Sequence, residues 1–112
     1  MKPVEFLGPS LDRLRKFPQS ARRRLGQQID RVQRGLEPDD WKPMPSIGAG
    51  VREVRVRDEG EAWRAIYIAK FPQAVYVLHC FQKKTRKTAP QDIAVAVENF
   101  RELIARNARR MR

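Results

Sequence analysis

Residues 75–92 constrain the fold more than any other segment of this chain. Residues 75–81 are mostly branched or aromatic, which is typical of a buried strand. Four cations follow within the five residues 83–87, and a helix-start pattern comes directly after them. The segment therefore predicts a rigid sheet that concentrates positive charge at one strand end.

Length and composition fit one small folded domain. The chain has 112 residues, of which 41% are hydrophobic and 33% are charged. A disordered chain would lack the apolar residues that offset the entropy lost on folding, so we expect a single domain over residues 1–112. Cys80 is the single cysteine, which excludes a disulfide within the chain and a cysteine-cluster metal site. Because the sequence has no metal-ligand spacing and no glycine-rich phosphate loop, no cofactor is expected.

The net charge of +11 at pH 7 is the strongest bulk signal. It favours a polyanionic partner, which is a nucleic acid, an acidic protein segment or an anionic membrane. No apolar run approaches the roughly 20 residues needed to span a bilayer, and the first residues lack a signal-peptide core. We therefore expect a cytoplasmic protein that has no membrane partner.

Apolar spacing predicts a short strand and two helices in the first third of the chain. The strand is expected at residues 3–7, and Ser10 is expected to cap a short helix that Pro18 interrupts. A second helix is expected at residues 19–35, with Gly35 as its stop. The apolar stripe of that helix comprises Ala21, Leu25, Ile29, Val32 and Leu36. Its other face is rich in arginine, which favours either ordinary solvation or a polyanion-binding surface.

The rest of the chain predicts three strands and a final helix. Residues 37–50 contain three prolines and two glycines and are interpreted as a connector, in which Trp41 and Met44 contact the core. Strands at residues 51–57, 62–69 and 75–81 are expected to form an antiparallel meander. Thr88 and Gln91 fit a capping box for the last helix. This order predicts an α+β fold: a small antiparallel sheet with two N-terminal helices and a C-terminal helix.

Three ordered segments resemble a known family. They are Arg-Glu-Val-Arg-Val from residue 52, Trp-Arg-Ala-Ile-Tyr from residue 63, and the signature Phe-x-Lys-Lys-x-x-Lys-Thr-x-Pro over residues 81–90. The chain resembles the HigB-like, phage Gp49-like branch of the RelE/ParE toxin superfamily over nearly its whole length. The resemblance implies a RelE-like fold and the toxin of a type II toxin–antitoxin pair. Such a toxin is typically a ribosome-dependent mRNA endonuclease that a small cognate antitoxin silences.

A cluster of cations suits RNA cleavage without a metal ion. The ribose 2′-hydroxyl attacks its neighbouring phosphate, and preorganised donors stabilise the negative charge that develops. Arginine holds a phosphate through two parallel hydrogen bonds, and a lysine beside other cations can serve as general acid or base. We expect catalysis by Arg55, Arg64, Lys83 and Lys84, of which the two arginines match the family's strand arginines. We expect RNA binding by Arg52, Arg57, Arg86 and Lys87.

Other functions remain open from the sequence. ParE relatives with the same fold poison DNA gyrase, and fold does not decide the target. A basic module that binds nucleic acid without cutting it, or a toxin-derived remnant that only binds its partner, also fits the charge. In the plainest alternative, Arg55 pairs with acids near Glu53, and the lysines only prevent the strand end from pairing with another chain.

The histidine and the aromatic residues are more readily explained by packing than by chemistry. His79 is the only histidine, and its apolar neighbours favour a sheet or core position, with Val75, Val77 and Phe81 expected on its face. Cys80 is expected beside Leu78 on the other face as a small buried residue. The larger aromatics can stack on bases, but core packing is favoured for Trp41, Trp63 and Tyr67. Some HigB toxins use a histidine near the C-terminus, and this chain has none after residue 79.

Overall fold

The structure is a computed structural model that describes residues 1–111. Its elements in chain order are β1 (Val4–Phe6), α1 (Ser10–Arg15), α2 (Gln19–Gln33), β2 (Trp41–Pro43), β3 (Val51–Asp58), β4 (Glu61–Ile68), β5 (Val75–Lys83) and α3 (Pro90–Arg110). The predicted α+β fold, with two N-terminal helices and one C-terminal helix, is confirmed. Within residues 1–111, no helix has the length and apolar character needed to cross a bilayer.

The five strands form one sheet in the order β1-β5-β4-β3-β2. The predicted meander is confirmed, because β4 pairs antiparallel with both β3 and β5. β1 pairs parallel with β5, so the sheet is mostly rather than wholly antiparallel. β2 adds an edge strand inside the segment that was interpreted as a connector. Pro43 fits there because an edge strand tolerates a residue without an N–H.

Each face of the sheet has its own hydrophobic core. On one face, α1 and α2 pack through Leu14, Ala21 and Leu25 against strand residues that include Val54 and Trp63. The predicted stripe of α2 is buried from Ala21 to Val32, but Leu36 is half exposed because α2 ends before it. Gly35, with φ of +82°, follows the helix as predicted.

The second core lies between the sheet and α3. It joins Leu103 and Ala96 of the helix to Ile66, Ile68 and other strand residues. Arg106 ties the far end of α3 to β1 through an ion pair with Glu5, at 2.8 Å between Nη2 and Oε2. Met44 is buried in this core as predicted.

A β-bulge in β5 changes which residues share a face. Ile66 pairs with His79 and Tyr67 pairs with Val77, so Leu78 is the extra residue. The Leu78 carbonyl accepts a hydrogen bond from Asn99 of α3 at 2.8 Å. Strict alternation therefore fails here, and the prediction that His79 shares a face with Val77 is wrong.

After the bulge, each residue of β5 points to the face opposite to the one that simple alternation from Val75 predicts. His79 stacks on Phe81 with ring centroids 5.1 Å apart. Cys80 lies in the other core, with Val75 and Val77 rather than with Leu78. The prediction that Cys80 lies beside Leu78 is therefore also wrong, although its burial is confirmed.

Both predicted helix caps are wrong, because tertiary partners take the two hydroxyl groups. Ser10 is already inside α1, and its hydroxyl donates to the Val77 carbonyl at 3.2 Å. α3 begins at Pro90 with Ala89 as its N-cap residue, while the Thr88 hydroxyl donates to Glu53 Oε2 at 3.0 Å. Pro90 suits the first helical position because it needs no N–H partner there.

Candidate functional site

Three neighbouring strands bring basic side chains onto one face of the sheet. Arg55 of β3 lies directly opposite Arg64 of β4, and Lys83 of β5 lies opposite Ala62, two residues along β4. Because side chains alternate along a strand, this is the same face that packs on α3 further along the sheet. The basic residues thus occupy the end of that face, beyond the second core.

These side chains line an open hollow with a volume of about 660 Å³. We call it the basic hollow. Its cationic lining residues are Arg55, Arg57, Arg64, Lys83, Lys84 and Arg86. The structure therefore brings together all four residues expected to act in catalysis and two of the four expected to bind RNA.

Arg52 does not join the basic hollow. Arg52 is one position away from Glu53 and three positions away from Arg55 along β3. Because side chains alternate along a strand, it lies on the opposite face of the sheet. There its guanidinium lies 4.0 Å from the centroid of the Trp41 ring, and Nη1 donates to Glu37 Oε2 at 2.9 Å. Lys87 is exposed just past the lining residues. Arg52 is therefore not among the cations that line the basic hollow, and its expected contact with RNA stays a prediction.

Burial and crowding change the proton affinities inside the hollow. Burial is the main reason why the pKa of Lys83 lies below its ordinary value of 10.5. The neighbouring cations Arg64, Lys42 and Arg55 also lower this pKa, whereas Glu53 raises it. Arg64 is only 6% exposed. Burial lowers the pKa of its guanidinium, Glu53 opposes this, and Arg55 adds to the lowering. These surroundings make Lys83 easier to deprotonate than an isolated lysine.

Glu53 is the site residue that the sequence interpretation missed. Its side chain is fully buried, and Oε1 lies 3.5 Å from Arg64 Nε and 3.9 Å from Lys42 Nζ. Lys42 comes from β2, directly opposite Glu53 in the register. Glu53 thus pairs with Arg64 and Lys42, and not with Arg55. The available signal was a single acid within the basic strand at residues 52–57, but burial of that acid depends on β2 and α3.

His79 and Cys80 lie outside the basic hollow. His79 is 1% exposed, and its Nε2 donates to Asp92 Oδ1 at 2.8 Å. Burial lowers the pKa of His79, while Asp92 opposes the shift. Burial raises the pKa of the Cys80 thiol to about 12, so it is an inert packing group. The interpretation of both residues as core residues is confirmed.

The aromatic residues considered for base stacking serve mainly in packing. Trp63 and Tyr67 are buried in the first core, and Phe17 lies against Trp63 with ring centroids 4.5 Å apart. Trp41 is half-buried beneath Arg52. The prediction of core packing is confirmed for Trp63 and Tyr67.

The fold of this chain is RelE-like. The structure is similar to that of a mutant of the E. coli toxin RelE in the free state, with a TM-score of 0.64. The match covers 87% of this chain and 95% of that chain at 18% sequence identity.

The family of the chain follows from its sequence. The model of the family described as "Phage derived protein Gp49-like (DUF891)" matches residues 12–101, and the chain belongs to this family. No curated protein matches the chain. The resemblance to the Gp49-like branch of the RelE/ParE superfamily is thus confirmed at the level of family and fold.

Proposed function

We propose that this protein is the toxin of a type II toxin–antitoxin system and a cytoplasmic endoribonuclease that cleaves mRNA on the ribosome. The observation that carries the proposal is the convergence of Arg55, Arg64, Lys83 and Lys84 in one hollow. The solved protein with a similar fold is itself named a toxin. Family membership supports the same class of function for this chain.

The proposed reaction is an internal phosphoryl transfer that needs no metal ion. The ribose 2′-oxygen attacks the adjacent phosphorus and loses its proton to a base, while the bond from phosphorus to the 5′-oxygen breaks. The departing 5′-oxygen takes a proton from an acid, so the products are a 2′,3′-cyclic phosphate and a 5′-hydroxyl end. The charge that develops on the phosphate oxygens is what cations of the hollow are suited to stabilise.

Each basic residue has a role that its surroundings support. Arg64 is buried and offers a planar guanidinium that suits a phosphate, and Arg55 adds charge from the opposite strand position. Lys83 is suited to act as the general acid because its lowered pKa eases proton release. Lys84, Arg57 and Arg86 are exposed or half-exposed at the rim and suit contacts to flanking phosphates.

The proposed protein partner is a cognate antitoxin with an acidic or amphipathic segment. α2 and its C-cap residue Arg34 present an exposed basic face that includes Arg22 and Arg23, and the basic hollow is a second site of positive charge. An acidic segment can bind either surface through charge complementarity. Binding by Arg23→Glu and Lys84→Glu variants distinguishes the two surfaces, because each weakens only the complex that uses its site. Undiminished binding by both variants would refute this docking model.

The decisive experiment is induction of the protein in cells, followed by mapping of transcript 5′ ends. We expect new 5′ ends within translated mRNA, and we expect Arg64→Ala to reduce their number about 10²- to 10³-fold. Arg101→Ala is the matched control, because it removes the same charge from the exposed face of α3.

Two outcomes would replace the proposal. Lost DNA supercoiling with intact transcripts would identify a gyrase inhibitor of the ParE type. Salt-sensitive binding to RNA or DNA without any cleavage would identify a non-catalytic basic module.

A further inference from the structure

We infer that Glu53 is the positioning residue of the basic hollow: its buried carboxylate orients Arg64 and ties the end of the basic segment 84–88 to the sheet through Thr88. This inference rests on the proposed nuclease function. Glu53 itself does not reach the hollow, because its side chain is fully buried and is not among the lining residues.

The burial of Glu53 calls for a role beyond stability. A buried carboxylate carries a large desolvation cost, which its ionic partners offset only in part. An apolar residue would suit this position between β2 and β4, where Glu53 lies directly opposite Ile66. Replacement of buried ion pairs by apolar residues is often neutral or stabilising. A charge at this position is therefore better explained by what it does to its neighbours.

Arg64 makes one ion-pair contact, which is not a hydrogen bond, and one hydrogen bond, and together they leave its outer edge free. Its Nε lies 3.5 Å from Glu53 Oε1, and its Nη1 donates to the Trp63 carbonyl at 3.1 Å. Guanidinium has five N–H donors, so Nη2 and the second Nη1 hydrogen remain for a phosphate in the hollow. Preorganisation of this kind raises the rate, because no reorientation is needed as charge develops.

The second carboxylate oxygen connects the sheet to the basic segment. Glu53 Oε2 accepts from Thr88 Oγ1 at 3.0 Å, and Thr88 is the last residue of the segment 84–88, which carries Lys84 and Arg86. This hydrogen bond anchors the segment immediately before α3 begins at Pro90. One side chain thus positions both the buried phosphate-binding arginine and the lysine-bearing rim.

Glu53 also balances the charge around Lys83. Three cations disfavour protonation of Lys83, namely Arg64 of β4, Arg55 of β3 and Lys42 of β2. Glu53 is the charged group that favours it. Removal of the Glu53 charge should therefore make Lys83 easier to deprotonate. A merely structural role would not move this titration.

Glu53→Gln provides the test, because the amide has nearly the same shape and still accepts from Thr88. We expect kcat for RNA cleavage to fall about 10- to 100-fold, with a smaller change in KM. This is the loss seen when residues that orient the ligands of metal sites are replaced. The alkaline limb of the kcat profile should move to lower pH. In a Lys83→Arg background this limb should be absent, both with and without Glu53→Gln.

Two further variants separate positioning from folding. Glu53→Asp keeps the charge and should keep the alkaline limb near its wild-type pH. Glu98→Gln removes the same charge from the exposed face of α3 and should change neither kcat nor the pH profile. If Glu53→Gln fails to fold by circular dichroism, the same measurements on Glu53→Asp decide, because the shorter side chain draws the carboxylate away from Arg64 and should lower kcat.

The experiment also separates this inference from the proposed function. NMR titration of the Lys83 side chain and exchange of the Arg64 Nε–H do not require cleavage. If wild-type protein cuts no RNA, the nuclease proposal fails. If, in addition, Glu53→Gln changes neither the Lys83 titration nor the exchange rate of the Arg64 Nε–H, the positioning role of Glu53 is overturned as well. If wild type cuts and folded Glu53→Gln has unchanged kcat and pH profile, only the inference about Glu53 is overturned.

Discussion

Arg55 and Arg64 lie directly opposite each other in the register between β3 and β4. Like charges at such a pair repel each other and destabilise the sheet, and Arg64 is too buried for water to screen the repulsion well. Glu53, on the same face two residues before Arg55, offsets part of this repulsion through Arg64. A fold selected for stability alone would place β-branched residues here. The repulsive pair therefore supports the proposed role of this end of the sheet in phosphate binding.

Replacement of Arg55 should increase stability while it reduces activity. In Arg55→Thr, the repulsion with Arg64 is removed, and we expect the free energy of unfolding to rise by about 0.2–1 kcal/mol. We expect RNA cleavage to fall about 10²-fold, because one cation of the hollow is lost. Urea denaturation and a single-turnover cleavage assay provide the two measurements.

The stability control for this variant is Arg57→Thr. Arg57 is exposed and lies opposite Ala62, so it has no like charge across the strand pair. Both variants gain the same β-propensity, and their difference isolates the repulsion of the pair. Equal changes in unfolding free energy for the two variants would contradict the explanation.

RNA cleavage should become slower at alkaline pH, because Lys83 loses its proton. A general acid must carry its proton, so activity falls as pH rises through the lowered pKa of Lys83, which lies below the ordinary value of 10.5. In Lys83→Arg this limb should disappear, because a guanidinium stays protonated in that range. In Lys84→Arg the limb should remain. A limb that vanishes only in Lys84→Arg would transfer the acid role to Lys84.

The burial of His79 should make stability depend on pH, because burial lowers the pKa of its imidazole although Asp92 opposes the shift. The pKa of His79 in the folded state lies below its unfolded value of 6.5, so the unfolded state binds the proton first as pH falls. Stability that is complete above 6.5 is therefore lost as pH falls from that value through the folded-state pKa. Each unit of difference between the two pKa values corresponds to about 1.4 kcal/mol.

His79→Gln tests this pH dependence, because His79 is the only histidine in the chain. We expect the unfolding free energy of the variant to change less than that of wild type just below pH 6.5, as measured by urea denaturation at several pH values. Parallel curves for wild type and variant would contradict the assignment.

Two glycines should respond in opposite directions to replacement by alanine. A Cβ on Gly48 would lie 2.4 Å from Cε2 of Phe100 in α3, so Gly48→Ala should lower the unfolding free energy by about 1–3 kcal/mol. At Gly26 of α2, the added Cβ would have no described atom within 4 Å apart from its chain neighbours and the nearby backbone of the helix itself. Gly26→Ala should therefore raise stability by about 0.5–1 kcal/mol, because alanine has less conformational entropy to lose. Thermal denaturation of both variants gives the comparison, and a stabilised Gly48→Ala would refute the close packing of α3.

The basic hollow was predictable in part because its positions depend on local periodicity. Alternation along β3 and β4 places Arg55 and Arg64 on one face, and the short turn between these strands sets them opposite each other. Lys83 was expected at a strand exit and lies at the end of β5. Arg52, an expected RNA-binding residue, is separated from Arg55 by three positions, and alternation therefore places it on the other face of the sheet.

The amino-acid sequence by itself determined the helix stripe of α2, the antiparallel meander and the concentration of charge after β5. These features follow from periodicity and from short connections, which act between residues close in the chain. Tertiary structure alone decided the bulge at Leu78, the parallel pairing of β1, the partners of the Ser10 and Thr88 hydroxyls, and the burial of Glu53. The physical reason is that each depends on contacts between distant segments, where packing and hydrogen-bond demand override local preference.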